Sequence, residues 1–199
     1  MPEPWDRPPF PQIGDEDQNR VFEYIGRVSN AWEHLEGVFS LLYATLSGKH
    51  PFDRDARRTY GREPTFQGRL GGFRTVFSLW VRTNHDQDLE GGIYRALRAA
   101  EGFSQRRNDI IHGIVRPFHL MASAGTESDP IVWPDVWTYC VTPPYQDERR
   151  FGARERPEYL YSSYSMEQIE AGIYRLTEEA HDLVSRISGL DLGKYKRQD

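Results

Sequence analysis

Between Asp17 and Ser47 apolar side chains recur every three or four positions: Val21, Ile25, Val28, Trp32, Leu35, Phe39, Leu42 and Leu46. That spacing draws one stripe along a helix, so a long amphipathic helix packed on others is expected. Asp15, Glu16 and Asp17 suit the positive end of its dipole, and Gly48 and Pro51 end it. A second helix is expected from about Pro64 to Arg82, with Phe66, Leu70, Phe73, Phe77 and Trp80 inward. Gly71 and Gly72 weaken it by about 1 kcal/mol each relative to Ala, and are expected to admit a close helical neighbour. A third runs from about Asp86 to His112 on Ile93, Leu97, Ala100, Ser104, Arg107 and Ile111, with Gly113 where a left-handed C-cap belongs. The last runs from about Met166 to Ile187 on Ile169, Ile173, Leu176, Ala180, Leu183 and Ile187. A capping box of Ser165 and Gln168 and a staple of Tyr164 on Ile169 are expected to open it.

Between the third and last helices the period falls to two. Ile114 to Met121, Asp135 to Thr142 and Glu158 to Ser162 alternate and are rich in β-branched and aromatic residues. The turn-like stretches Ala124 to Pro130 and Pro143 to Pro157 separate them. The expected fold is mainly α: a four-helix bundle with a small antiparallel β hairpin or sheet inserted between helices 3 and 4. Residues 1–16 read as a Pro-rich N-terminal arm, clasping the body through Trp5 and Phe10. Residues 17–199 read as one helical domain, with the β insertion at about 114–163.

The composition is that of an ordinary globular chain, 38% apolar and 28% charged. No apolar run approaches the roughly 18 residues of a membrane span, and the N-terminus lacks the pattern of a signal peptide. Cys140 is the only cysteine, which leaves no intrachain disulfide and no cysteine-based zinc site. A cytoplasmic protein is therefore expected. The net charge of −5 argues against a generally basic nucleic-acid binder. Its distribution changes that picture, because Arg54 to Arg116 holds 12 Arg against 7 Asp or Glu. A GC-rich genome would explain an excess of Arg over Lys but not its clustering, and Arg forks suit phosphate.

The segment Arg106-Arg107-Asn108-Asp109-Ile110-Ile111-His112-Gly113 closes the third helix. With the stripe centred on Ile93 and Ile111, about 100° per residue puts Arg107 and Asn108 on the face that buries itself. Burying a guanidinium and an amide without partners costs several kcal/mol, so both are expected to be paired or to line a cleft. His112 follows Asn108 by one turn. Arg followed by a polar residue, with a His five positions after the Arg, resembles the hallmark of HEPN domains, which are helical bundles. The opening helix, with Trp32-Glu33-His34-Leu35-Glu36, is also similar to the first helix of bacterial HEPN-like proteins. The resemblance spans Asp17 to Gly113.

The resemblance implies a metal-independent endoribonuclease, of toxin or phage-defence type, leaving 2′,3′-cyclic phosphate ends. His112 would act on the 2′-hydroxyl or the leaving oxygen, Arg107 would stabilise the charged phosphorane, and Asn108 is the polar residue of the motif. RNA and an antitoxin are the partners it implies, and two copies meeting across a dimer would make the site composite. On a straight helix Arg107 and His112 point about 140° apart, which favours a homodimer through the third helix. Many members of the family are inactive, and the same residues fit a second reading. In it the chain is a non-catalytic interaction module, and Arg107, Asn108 and His112 form a buried polar network toward Glu33, Glu36 or His34.

Other candidates are weaker. There is no HxxxH or Cys-His cluster and no Walker or GxGxxG pattern, so no metal and no cofactor are expected. His181-Asp182 reads as a solvated pair, and His50, His85 and His119 have no partner spacing. The charged run Asp147 to Arg156 reads as a solvated loop within reach of RNA phosphates. Trp133, Trp137, Tyr139, Tyr159 and Tyr161 offer faces for base stacking, although their alternation fits sheet packing better.

Overall fold

The structure, a computed structural model, describes residues 3–11, 14–119, 137–152 and 156–190. In chain order the described elements are α1 (Gln18–Leu46), α2 (Arg54–Tyr60), α3 (Phe66–Val81), α4 (Gln87–Ile111), β1 (Ile114–His119), β2 (Trp137–Thr142) and α5 (Ser163–Ser188). Among the described residues a 3-10 turn, Glu148–Arg150, precedes α5. The fold is mainly helical, with a two-stranded antiparallel pair between α4 and α5. The four long helices fall where the 3.6-residue periodicity puts them. Among the described residues no helix is long and apolar enough to cross a membrane.

The short helix α2 has no apolar stripe to announce it, since Tyr60 alone is buried. A cap and two tethers make it instead. Asp53 accepts from the N–H of Ala56 at 2.8 Å, Arg57 Nε donates to Ser40 Oγ at 3.0 Å, and the Tyr60 hydroxyl donates to Glu36 at 3.3 Å. Gly48 ends α1 in a left-handed conformation, φ 69°, while Lys49 N–H closes on the Ala44 carbonyl at 3.1 Å.

The chain forms two compact units. One consists of Asn30–Ser104 and Ala171–Asp199. Its core is the bundle: Trp32, Leu35, Phe39 and Leu42 of α1, Leu70, Phe73 and Phe77 of α3, Ile93, Leu97 and Phe103 of α4, and Ile173, Leu176 and Leu183 of α5 are buried. The expected close approach does not use Gly71 and Gly72, which face open space. It uses Gly172, where a Cβ would lie 2.5 Å from the Phe103 ring, and Gly92, where it would lie 2.9 Å from Leu183.

The other unit consists of Met1–Ser29 and Gln105–Glu170. Its centre is β2, paired with β1 in a register that sets Ile114 opposite Thr142 and Arg116 opposite Cys140. On the far side of β2 there are two single bridges, Asp15 to Tyr139 and Tyr161 to Val141. The stretch Glu158 to Ser162 is thus not a full third strand; among the described residues its backbone bridge to β2 is the one at Tyr161. Leu120, Met121, Trp133, Asp135 and the turn Ala124 to Pro130 lie outside the described residues.

The arm is held by polar groups more than by rings. Trp5 and Phe10 are half-buried. Arg7 is paired with Asp109 and Glu158, and Asp15 is buried at the start of α5. There Asp15 accepts from the Ser163 N–H at 2.7 Å and from the Ser163 hydroxyl. Ser162 Oγ accepts from the Ser165 N–H at 3.4 Å. Asp15 and Ser162 therefore cap α5 in place of the Ser165–Gln168 box, and Tyr164 is 70% exposed and staples nothing. Asp15 serves the dipole of α5 and not that of α1, whose first turn takes Asp17, bonded to the Asn19 N–H at 2.9 Å.

Candidate functional site

The last two turns of α4 carry the candidate motif. The stripe that begins at Ile93 stays buried through Leu97, Ala100 and Ser104 and then breaks. Beyond Ser104 the buried residues are Arg106, Asp109 and Ile110, while Arg107 and Ile111 are half-buried and Asn108 and His112 exposed. At about 100° per residue the stripe from Ile93 to Ser104 and the group Arg106, Asp109 and Ile110 point roughly 150° apart, close to half the circumference. The break falls at the boundary between the two units, because α4 leaves one core at Ser104 and enters another at Gln105. Arg107 and Asn108 are therefore not on a buried face, as extrapolation of one stripe expects. They meet each other: Arg107 Nη1 donates to Asn108 Oδ1 at 3.2 Å.

His112 is exposed just past the end of α4. Its backbone N–H donates to the Asn108 carbonyl at 3.1 Å. Among the described residues its imidazole has no hydrogen-bond or ion-pair partner. Gly113 does not adopt a left-handed conformation. It is needed for space: a Cβ there would collide with Val141, 2.8 Å from the Asp109 carbonyl and 3.0 Å from that of Thr142.

The buried polar network of the region centres on Asp109. Its side chain is 4% exposed. Oδ1 accepts from Arg150 Nη1 at 2.8 Å, and Oδ2 accepts from Arg7 Nε at 3.2 Å and from the Tyr161 hydroxyl at 3.1 Å. Arg106 Nη1 lies 3.5 Å from Oδ2, one helical turn back. The Tyr159 hydroxyl donates to the Asp109 carbonyl at 2.9 Å. The Tyr159 ring has the guanidinium carbons of Arg7 and Arg150 at 5.5 and 5.8 Å, and Tyr161 stacks on it at 5.1 Å. These two tyrosines are thus core side chains and not stacking faces for a ligand.

Burial, reinforced by the charge of Asp109, pushes the Tyr159 phenol up to about 12 and raises that of Tyr161 as well. Burial alone would lower Arg7; its hydrogen bonds to Glu158 and Asp109 outweigh that and keep it above its usual value. Every acceptor direction of the Asp109 carboxylate is occupied, so it positions its neighbours and is not free to act as a base. No local signal marked it: an Asp three residues after an Arg is unremarkable until Arg7, 102 residues away in sequence, arrives.

Arg150 ties the charged run to this centre. Arg149, Arg150, Phe151, Arg156 and Glu158 line a cleft of about 500 Å³. Arg150 also pairs with Asp147 at 3.2 Å, and the Glu158 N–H donates to the Arg150 carbonyl at 2.7 Å. The loop is thus pinned to α4, where a solvated segment was expected; Arg154 and Glu155 lie outside the described residues.

Elsewhere His34 is exposed, and Glu36 is taken by Trp32, Tyr60 and Arg69. His85 lines a second cleft, of about 970 Å³, with Trp80, Asn84, Asp86 and Arg186. Asp86 caps α4 there through the N–H groups of Asp88 and Leu89. Among the described residues no group of three or more His, Cys, Asp or Glu is placed to hold a metal. Comparison of the chain with family models, with curated proteins and with solved structures returned no match.

Proposed function

We propose that the chain is a HEPN-like, metal-independent endoribonuclease of the bacterial cytoplasm, serving toxin or phage-defence chemistry. The observation that carries the reading is the state of the motif. His112 is exposed at the end of α4, one turn beyond Asn108, whose amide oxygen holds the Arg107 guanidinium at 3.2 Å. A neutral imidazole there takes the proton of a ribose 2′-hydroxyl, and the freed oxygen attacks the adjacent phosphorus. Charge builds on the phosphoryl oxygens and Arg107 stabilises it, with Asn108 fixing the guanidinium. The leaving 5′-oxygen is protonated by a second imidazole, from another copy, and the product ends in a 2′,3′-cyclic phosphate. Exposure also bears on the rival, non-catalytic reading. Its buried network exists, but it is built on Asp109, and Asn108 and His112 stand outside it.

The test is cleavage of total and single-stranded RNA in excess chelator, comparing the intact chain with His112→Ala and Arg107→Ala. The expected result is cleavage by the intact chain, cyclic-phosphate ends, and a loss of at least about 100-fold for His112→Ala. Persistent failure of the intact chain to cut at high concentration, with or without a partner copy in solution, overturns the enzymatic reading.

A further inference from the structure

The unit that carries His112 has a second surface, made by β1 and by residues 143–152 and 156–157. Arg116 lies on β1, four residues after His112. At about 3.3 Å per residue of strand it sits on the order of 10 Å along the backbone from the helix end. Its guanidinium lies 5.6 Å from the centre of the Tyr145 ring. Tyr145 is 55% exposed and tilts against Phe151 at 5.6 Å. Phe151 bridges to Pro157, and the preceding residue, Arg156, lies over the ring of Phe10 at 4.6 Å. Among the described residues neither Arg116 nor Arg156 has a carboxylate partner. A guanidinium laid on an aromatic ring keeps its N–H edge for phosphate oxygens. Arg149 lines the 500 Å³ cleft with Arg156, its side chain 93% exposed and its Nε 3.4 Å from Asp147 Oδ1.

We propose that this surface is a platform for single-stranded RNA. Arg116, Arg149 and Arg156 take backbone phosphates, Tyr145 stacks a base, and the strand leads toward His112. The substrate follows from the ribonuclease reading, on which the proposal rests; the platform adds that the strand is unpaired. An exposed ring stacks only on a base not already stacked in a duplex. The bond from Arg150 to Asp109 holds the platform to the last turns of α4, so strand and motif are positioned by one rigid network.

The experiment is fluorescence anisotropy with a labelled 2′-O-methyl oligouridine, which binds but cannot be cut through a 2′-hydroxyl. Binding by the intact chain is expected, with roughly tenfold weaker binding by Tyr145→Ala and near-normal binding by Tyr145→Phe. Arg116→Gln and Arg156→Gln should each weaken it and reduce the slope of log affinity against log salt by about 0.7. Arg116→Lys, which retains charge, keeps the slope and controls for folding, together with thermal melts. The platform is overturned if the oligouridine does not bind, if the Tyr145→Ala and Arg→Gln chains bind as the intact chain does, or if duplex RNA binds as well. Cleavage is scored separately on unmodified RNA. The expected binding pattern without cleavage removes the ribonuclease and leaves the platform; cleavage with unchanged binding does the reverse.

Discussion

Asp109 in the last turn of α4 and His112 just past its end answer to opposite demands. The Asp109 carboxylate receives Arg7, Arg106, Arg150 and the Tyr161 hydroxyl in a dry environment. Arg106 is buried and Arg7 and Arg150 are about two-thirds buried, so removing the carboxylate strands one guanidinium fully and two in part. Asp109→Ala is therefore expected to cost about 3–5 kcal/mol, and Asp109→Asn less, since an amide still accepts hydrogen bonds. His112→Ala, at an exposed position, should change stability by no more than about 0.5 kcal/mol. Urea unfolding of the three chains checks both halves. A loss above about 2 kcal/mol for His112→Ala would assign the imidazole to the structural network and count against a catalytic role.

Helix α4 shows how one element serves two cores. Up to Ser104 its apolar stripe packs in the bundle; from Gln105 onward it buries Arg106 and Asp109 beside Ile110, and Asp109 meets Tyr159, Tyr161 and Arg7 of the arm. Gly113 makes the transition to β1 possible by letting Val141 and two carbonyls come close. Gly113→Ala is expected to destabilise by about 1–3 kcal/mol through overpacking against backbone that cannot move aside. Gly71→Ala, in open space on helix α3, is expected to stabilise by up to about 1 kcal/mol. Thermal melts of the two variants should shift in opposite directions; a shared direction would contradict this division between the packing glycine and the merely helical one.

In the molecule as a whole, the basic stretch from Arg54 to Arg116 includes the motif and Arg116, inside a chain of net charge −5. A single copy presents one exposed imidazole at the motif, whereas the proposed reaction takes one proton and returns another. A second copy meeting the first through α4 would supply the other imidazole and join two basic stretches. Light scattering at micromolar concentration should then give about 46 kDa, twice the 23.2 kDa of the chain. A mass near that of one chain at every concentration would remove the composite site.

The four long helices and the β pair after α4 were legible along the chain, because hydrophobic period and capping residues act within a few positions of one another. The motif was legible as a string of residues in the same way. What surrounds it was not. A period of 3.6 marks a face only while the helix keeps one neighbour, and α4 changes neighbours at Ser104. Whether Arg106 or Arg107 is the buried guanidinium depends on where Asp109 points, and that depends on Arg7 and Arg150 arriving from distant positions. The same holds for the cap of α5, supplied by Asp15 from 148 residues away. Local patterning decides which elements form; partners brought together by tertiary folding decide which polar groups are buried, and therefore which are left at the surface to meet a ligand.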